Sequence, residues 1–239
     1  MVSLNPMRVI DVNDFPEVYA NFNKPILDLD CGKKCAPYNE LGIPFCCDTR
    51  HTVPTAYELE WEQIKPLTDL WHIWQADSPE EMKGLQDVLP DGQVLLECTG
   101  FLSCQRPYRL MACRAFPFYP YLSSNKEFMG ISFYWEYRDR CWIISNLDQV
   151  SKEYTAQFIE TNERIFLGMP EELENFCYHS ADTRRLLSQQ RRRLTLLHRD
   201  GNIYTINPKT EEMRLVRSDK LPKFGPYRVA ADLLFSDEM

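Results

Sequence analysis

The sequence contains no long apolar run and no start typical of an exported protein. No stretch of about 18 consecutive apolar residues occurs among its 239 residues, so we expect no membrane-spanning helix. The first residues lack the basic start and apolar segment of a secretory signal. These absences predict a cytoplasmic protein, a setting in which structural disulfides are disfavoured.

The common catalytic and phosphate-binding motifs are also missing. There is no Ser-His-Asp arrangement, no glycine-rich phosphate loop and no H-E-x-x-H sequence. Hydrolase and nucleotide-binding functions therefore have no support from motifs. The formal net charge of −8 argues against general affinity for nucleic acid, so we expect neither a nucleic-acid nor a membrane partner.

Cysteine, by contrast, is abundant and clustered. Seven of the nine cysteines form two groups, Cys31, Cys35, Cys46 and Cys47 in the first and Cys98, Cys104 and Cys113 in the second. A chain of this length buries enough surface to fold without disulfide bonds. Disulfides, a reactive thiol pair and a metal site are the candidate roles for these thiols. The odd number of cysteines and the missing export signal make disulfides the weakest of the three.

A metal site accounts best for so many thiols. Thiolates select zinc, copper(I) or iron–sulfur clusters, and the bound cation compensates their negative charge. Seven thiols exceed the four of a closed zinc site or of one iron–sulfur cluster, which favours a multinuclear site or one cluster beside a reactive thiol. The adjacent Cys46 and Cys47 fit two metals, or one bound and one free thiol, better than a single tetrahedral ion. The opposing interpretation is that several of these cysteines are small buried hydrophobic residues.

Two cysteines outside the groups are assigned separately. Cys141 is included as an eighth candidate metal ligand. Cys177 follows Phe176 on the apolar face of a predicted helix, so we expect it to be a packing residue. His51, four residues after Cys47, is either a further ligand or a polar surface histidine.

Arginines near the second cysteine group are candidates for binding a cofactor. Arg109 and Arg114 offer fork-like hydrogen bonds to an anionic ligand, or balance the negative charge of a thiolate-rich site. Arg114 lies between Cys113 and Phe116-Pro117, where we also expect it to orient a metal ligand. The Arg-rich stretch 184–193 is predicted to be the solvated face of a helix, the alternative being a contact for RNA, lipid or an acidic partner.

The element pattern predicts an α+β fold with an irregular cysteine-rich metal-binding core, several helices, a few short strands and a C-terminal hairpin. Thr55 and Glu58 have the spacing of a capping box before a helical pattern that reaches Trp71, with Pro66 as a kink or a break in it. A further helix is predicted over residues 151–167, and a hairpin pairs residues 203–206 with residues 213–216.

The predicted domain organisation divides the chain near residue 180. Residues 1–180 are expected to form the cysteine-cluster metal-binding domain. Residues 181–239 are expected to contain an Arg-rich helix over residues 183–198, the hairpin and a surface tail, all packed on the same domain.

The order of the motifs resembles that of the zinc- or iron-chelating cysteine-cluster family, which is named for a C-x-x-C-x-x-C-C motif. The matching segments are Cys46-Cys47, residues 53–58 (VPTAYE), residues 98–104 (CTGFLSC) and residues 109–117 (RLMACRAFP). The resemblance covers roughly residues 31–118, with wider gaps in the first cysteine group and Leu110 where the family usually has proline. One branch of the family resembles flagellin lysine N-methylases, for which an iron–sulfur cluster has been proposed.

Two functions from different classes follow from these patterns. In the first, an iron–sulfur or multinuclear iron site supports redox chemistry or the modification of a peptide or protein, which would be the partner. In the second, zinc occupies a closed structural site in a binding module without enzymatic activity. The excess of thiols and the Cys46-Cys47 pair favour the first.

Overall fold

The computed structural model describes residues 14–87 and 89–228. The predictions for residues 1–13 and for the last part of the tail, residues 229–239, lie outside the described residues. The helices are α1 Phe15–Asn21, α2 Gly32–Cys35, α3 Glu58–Ile64, α4 Pro79–Gln86, α5 Met111–Ala115, α6 Lys152–Gly168 and α7 Pro170–Gln189. The strands are β1 Thr55–Tyr57, β2 Trp71–Ile73, β3 Gln93–Cys98, β4 Phe118–Leu122, β5 Phe128–Phe133, β6 Leu194–His198, β7 Ile203–Ile206 and β8 Met213–Leu215.

The larger of two sheets has five antiparallel strands in the order β4-β5-β6-β7-β8. All five residues of β4 are buried, because α7 packs on this strand and α6 on β5. The aromatic residues Phe118, Tyr154 and Phe158 lie in the core between the sheet and these helices. Burial of such large side chains is a main source of the stability of the fold.

The smaller sheet positions the second cysteine group. It has the order β1-β3-β2, and its register places Cys98 opposite Trp71. The indole nitrogen of Trp71 donates a hydrogen bond of 2.7 Å to the carbonyl oxygen of Tyr108, which fixes the segment between Cys104 and Cys113 against the sheet. Trp71 also packs with Leu96 and Leu110 in a second hydrophobic cluster.

The α+β class and the C-terminal hairpin are confirmed. Strands β7 and β8 pair antiparallel, with Ile206 opposite Met213. Helix α6 begins one residue after its predicted start because the Ser151 side chain caps it, accepting a hydrogen bond from the backbone nitrogen of Tyr154. Within the described residues, no helix is both long enough and apolar enough to span a membrane.

Two helix predictions were wrong in their bounds. The capping box lies two residues later than Thr55 and Glu58: α3 begins at Glu58, and the Glu60 carboxylate accepts the backbone N–H of Tyr57. Trp71 lies in β2, not in a helix. The Arg-rich helix ends at Gln189, and the stretch after it is β6, which pairs with both β5 and β7. These strand pairings place residues 194–215 in the same sheet as residues 118–133.

The start of the predicted surface tail is packed rather than solvated. Leu221, Phe224 and Tyr227 are buried, and the Phe224 ring packs edge-on against Trp135. The backbone nitrogen of Phe224 also donates to the hydroxyl of Ser145. This segment therefore belongs to the core.

Candidate metal centre

The first cysteine group is held in a tight loop by a buried polar contact. Cys31 directly precedes α2, and Cys35 is the last residue of this helix. Cys46 and Cys47 lie on a single 3-10 turn, Phe45–Cys47. The buried Asp48 carboxylate accepts a hydrogen bond from the Asn39 amide and two from the Arg50 guanidinium. The Arg50 bonds lower the pKa of Asp48 far below its usual value, so this carboxylate stays ionised and ties the loop together.

The second cysteine group comes from three consecutive local structures. Strand β3 ends at Cys98, the turn Phe101–Ser103 leads to Cys104, and the short helix α5 carries Cys113. Helix α5 is only five residues long, so its own hydrogen bonds contribute little stability. Its position depends on contacts from outside the helix.

Arg114 supplies many of those contacts. Its guanidinium donates four hydrogen bonds to main-chain carbonyl oxygens and lies 4.3 Å from the ring centre of Tyr19. The four acceptors are the carbonyl oxygens of Tyr19, Phe22, Pro107 and Arg109. These bonds fix the residue next to Cys113, in agreement with an orienting role. The same four hydrogen bonds engage all three nitrogens of the Arg114 guanidinium. The prediction that Arg114 binds an anionic cofactor therefore gains no support.

The two cysteine groups meet at one cavity of about 510 Å³. Six of the eight candidate ligands line it, namely Cys31, Cys46, Cys47, Cys98, Cys104 and Cys113. Residues that are 82 positions apart in sequence, such as Cys31 and Cys113, thus border the same space. The rest of the lining is largely apolar and aromatic, and it includes Tyr57 and Tyr134.

The thiols are close enough to influence one another electrostatically. Burial raises the pKa of Cys113, and the nearby thiols of Cys47 and Cys98 raise it further. Burial raises the pKa of Cys98 as well, with smaller effects from Cys47 and Cys104. A cation bound among these sulfurs would lower the raised pKa values of Cys113 and Cys98, because it stabilises thiolates directly.

Cys46 and Cys47 are close enough for one thiol to donate a hydrogen bond to the other. Their sulfur atoms lie 3.9 Å apart. The hydrogen bond between them raises the pKa of Cys46 and lowers the pKa of Cys47. Cys47 is therefore the more readily ionised thiol of the pair and the better nucleophile or ligand.

Arg109 is the cation in direct contact with a thiol. Its Nε donates a hydrogen bond of 3.1 Å to the sulfur of Cys104. The pKa of Arg109 is raised by this bond and by the thiols of Cys113 and Cys47, which outweigh the effect of its partial burial. The predicted role of Arg109 in balancing thiolate charge is consistent with this contact.

Neither Cys35, a member of the first cysteine group, nor Cys141 lines the cavity. Burial raises the pKa of Cys141, and the nearest thiols that add to this effect are Cys31 and Cys35. Cys177 lies on α7, where its charged neighbours are Glu174, Lys126 and Arg184 and no thiol is among them. Its separation from the cluster is consistent with the expectation that it is not a metal ligand, but among the described residues it belongs to no hydrophobic cluster, so its expected packing role gains no support.

His51 does not line the cavity that the thiols border. Its Nε2 lies 3.9 Å from a carboxylate oxygen of Asp48, and its ring packs against Phe45. This position favours the interpretation of His51 as a polar residue of the loop over that of a ligand.

Two buried glutamates of the cavity lining were not singled out from the sequence. Glu60 accepts hydrogen bonds from the Tyr19 hydroxyl, at 2.6 Å, and from the backbone nitrogen of Met111, at 2.7 Å. Glu172 accepts from the hydroxyl of Tyr57 and from the side chain of Gln93. A signal for Glu60 exists, because it precedes the fully buried Ile64 by four residues and so shares its helix face. No comparable signal marks Glu172.

Glu60 should make the stability of the protein depend on pH. Burial raises its pKa from 4.5 to about 7, despite hydrogen bonds that favour the ionised form. The folded chain then binds more protons than the unfolded chain between these values, so stability falls as the pH rises from 4.5 to 7, by roughly 3 kcal/mol. In Glu60→Gln, we expect denaturant unfolding to show a flatter dependence over this range. Glu62→Gln, an exposed residue of the same helix, serves as the control and should keep the slope of the unaltered protein; equal slopes in both variants would contradict the assignment.

The chemistry of the donors fits a metal that prefers sulfur. Six thiols line one cavity, and one of them accepts a hydrogen bond from an arginine. In residues 14–87 and 89–228, no group of three or more His, Cys, Asp or Glu side chains is arranged to hold a metal ion. The metal ligands therefore remain a prediction.

Comparison with known proteins adds no assignment. No protein-family model, no curated protein and no solved structure matches this chain. The resemblance to the cysteine-cluster family accordingly remains a prediction from the motifs.

Proposed function

We propose that this protein is a cytoplasmic cysteine-cluster protein that binds an iron–sulfur cluster or a multinuclear iron site and uses it in redox chemistry or in the modification of a peptide or protein. The observation that carries the proposal is the lining of a single cavity by six thiols from two distant segments. Such a concentration of sulfur donors is the chemistry that iron–sulfur clusters and thiolate-bound metals require.

The number of thiols supports iron over a closed zinc site. A structural zinc ion needs four ligands, whereas six thiols line one cavity here. When bound, an iron centre would supply one-electron redox chemistry. The protein would contribute the cysteine ligands, the hydrogen bond from Arg109 to the sulfur of Cys104, and the aromatic side chains of the cavity wall.

The cavity also supports a reacting partner. Its volume of about 510 Å³ lies within the range of pockets that bind small ligands. Its walls combine apolar side chains with a few hydrogen-bonding groups, among them Tyr57 and Glu172. A closed structural zinc site would need no such space beside it. We therefore propose that one side chain of a peptide or protein partner enters the cavity.

Anaerobic purification tests the proposal. We expect a coloured protein with iron in at least twofold molar amount, measured by visible absorption and by iron, zinc and sulfide analysis. The metal content should be the same after the buffer has been exchanged, because several thiolates would hold the metal at once. A colourless protein with one zinc ion per chain and no iron would refute the iron proposal and support the structural zinc site.

A further inference from the structure

A second cavity adjoins the thiols. It has a volume of about 330 Å³ and lies between residues 22–31 and residues 106–114. Four residues line both cavities, namely Asp30, Cys31, Arg109 and Cys113. The thiol group is therefore bordered by two separate spaces, and the second differs from the first in its charge.

Cationic side chains predominate in this second cavity. Its charged lining consists of Lys24, Arg106, Arg109 and Arg114 against Asp28 and Asp30. In the described part of the chain, no carboxylate lies within 4.0 Å of the guanidinium nitrogens of the three arginines. This is unusual in a protein with 35 acidic and 27 basic residues, where carboxylates are plentiful.

The three arginines differ in how many of their donors are free. The Arg114 guanidinium donates hydrogen bonds to four main-chain carbonyl oxygens, so this side chain is a structural part of the cavity wall. Arg106 donates one bond, from Nη2 to the carbonyl oxygen of Asn23, which ties the two walls together. Arg109 uses Nε for Cys104, and its two terminal nitrogens donate to no acceptor among the described residues.

The free donors of Arg106 and Arg109 lack an acceptor of opposite charge. Burial and then the like charge of Arg109 lower the pKa of Arg106, so the two cations disfavour each other. A bound anion would remove this repulsion and satisfy the donors. Planar guanidinium groups bind carboxylate and phosphate oxygens through paired, charge-assisted hydrogen bonds.

We propose that this second cavity binds an oxyanion, the carboxylate or phosphate group of a small reactant, on Arg106 and Arg109. The bound group lies next to Cys31 and Cys113, on the boundary that the two cavities share. Binding of the anion does not require a metal. Its role as the site of a second reactant rests on the proposed function.

Calorimetric titration of the full chain with inorganic phosphate and, separately, with succinate tests this inference. We expect saturable binding at one site, and binding that weakens as salt is added. Arg106→Gln should weaken it about tenfold, since one charge-assisted pair is lost. Arg109→Gln should do the same, and Arg185→Gln provides the matched control because that arginine is 72% exposed and pairs with Asp182 away from the cavity.

The outcomes separate this inference from the metal proposal. Binding of phosphate alone identifies a phosphate-bearing reactant, binding of succinate alone a carboxylate, and either supports the site. No saturable binding, or equal affinity in Arg106→Gln and Arg185→Gln, overturns it. Iron content, measured on the same samples, is independent: iron without anion binding refutes this site alone, and anion binding without iron refutes the metal proposal alone. Circular dichroism of Arg106→Gln verifies that the variant is folded.

Discussion

Cys113→Ser is expected to lose most of the bound metal and to destabilise the protein, whereas Cys177→Ser is expected to do neither. Cys113 lines both cavities and is an electrostatic neighbour of Cys47 and Cys98. Even residues that only support a metal ligand change the affinity for metal 10- to 100-fold, so removal of a ligand should cost at least about 3 kcal/mol of binding energy. Metal binding stabilises the folded state, so this loss lowers the unfolding temperature.

The control is chosen to match the chemistry of the change. Like Cys113→Ser, Cys177→Ser replaces one sulfur atom with oxygen, but it does so on α7, away from every other thiol among the described residues. Elemental analysis and thermal unfolding of both variants under anaerobic conditions provide the measurement. Equal metal content in the two variants would show that Cys113 is not a ligand. Cys46→Ser should behave as Cys113→Ser does, since Cys46 borders the same cavity.

The second large effect is expected for Arg114→Gln. The substitution removes most of four hydrogen bonds to carbonyl oxygens and the contact with the Tyr19 ring. Charge-assisted hydrogen bonds contribute about 1.5–3 kcal/mol each, and the carbonyls left behind lose their donors. We expect a loss of at least about 3 kcal/mol in the free energy of unfolding, measured with a chemical denaturant.

Arg114→Lys should rescue little of this loss. An ammonium group has three donors on a flexible chain and cannot reproduce the planar fork that reaches four carbonyl oxygens. Arg185→Gln, on the exposed part of α7, should change stability by less than about 0.5 kcal/mol. A similar small change in Arg114→Gln would mean that solvent or neighbouring donors replace the guanidinium.

The parts of the fold that depend on local signals were predictable. Helix α6 was predicted because its apolar spacing lies within one stretch of sequence, and the Ser151 cap that starts it is equally local. The stretch 194–198 was misassigned because Leu194 and Leu197 continue the helical spacing of the preceding leucines. Its actual conformation depends on pairing with β5, more than 60 residues earlier, and on a break at Arg191, where φ is +53°. Neither is visible in a short window of sequence.

The meeting of the two cysteine groups was predictable from the sequence, whereas the surroundings of the candidate site were not. The clustering of thiols in sequence indicated that Cys31–Cys47 and Cys98–Cys113 serve one centre, and both groups border one cavity. The second cavity depends on how the segment after α1 packs on α5, and the buried Glu172 reaches the first cavity from α7. Such long-range packing leaves no periodic signal in the sequence.

The strand order of the larger sheet restricts how the chain can be shortened. Strands β4 and β5 precede residue 180, whereas β6, β7 and β8 of the same sheet follow it. The part of the chain up to residue 180 therefore depends on later sequence for the strand that pairs with β5. In a fragment that ends at residue 180, β5 would be an exposed edge strand. Its unpaired backbone N–H and C=O groups could then form hydrogen bonds with a strand of another molecule. The part of the chain that carries the two cysteine groups is thus an incomplete folding unit, and aggregation of such a fragment would not be a test of whether the protein binds metal.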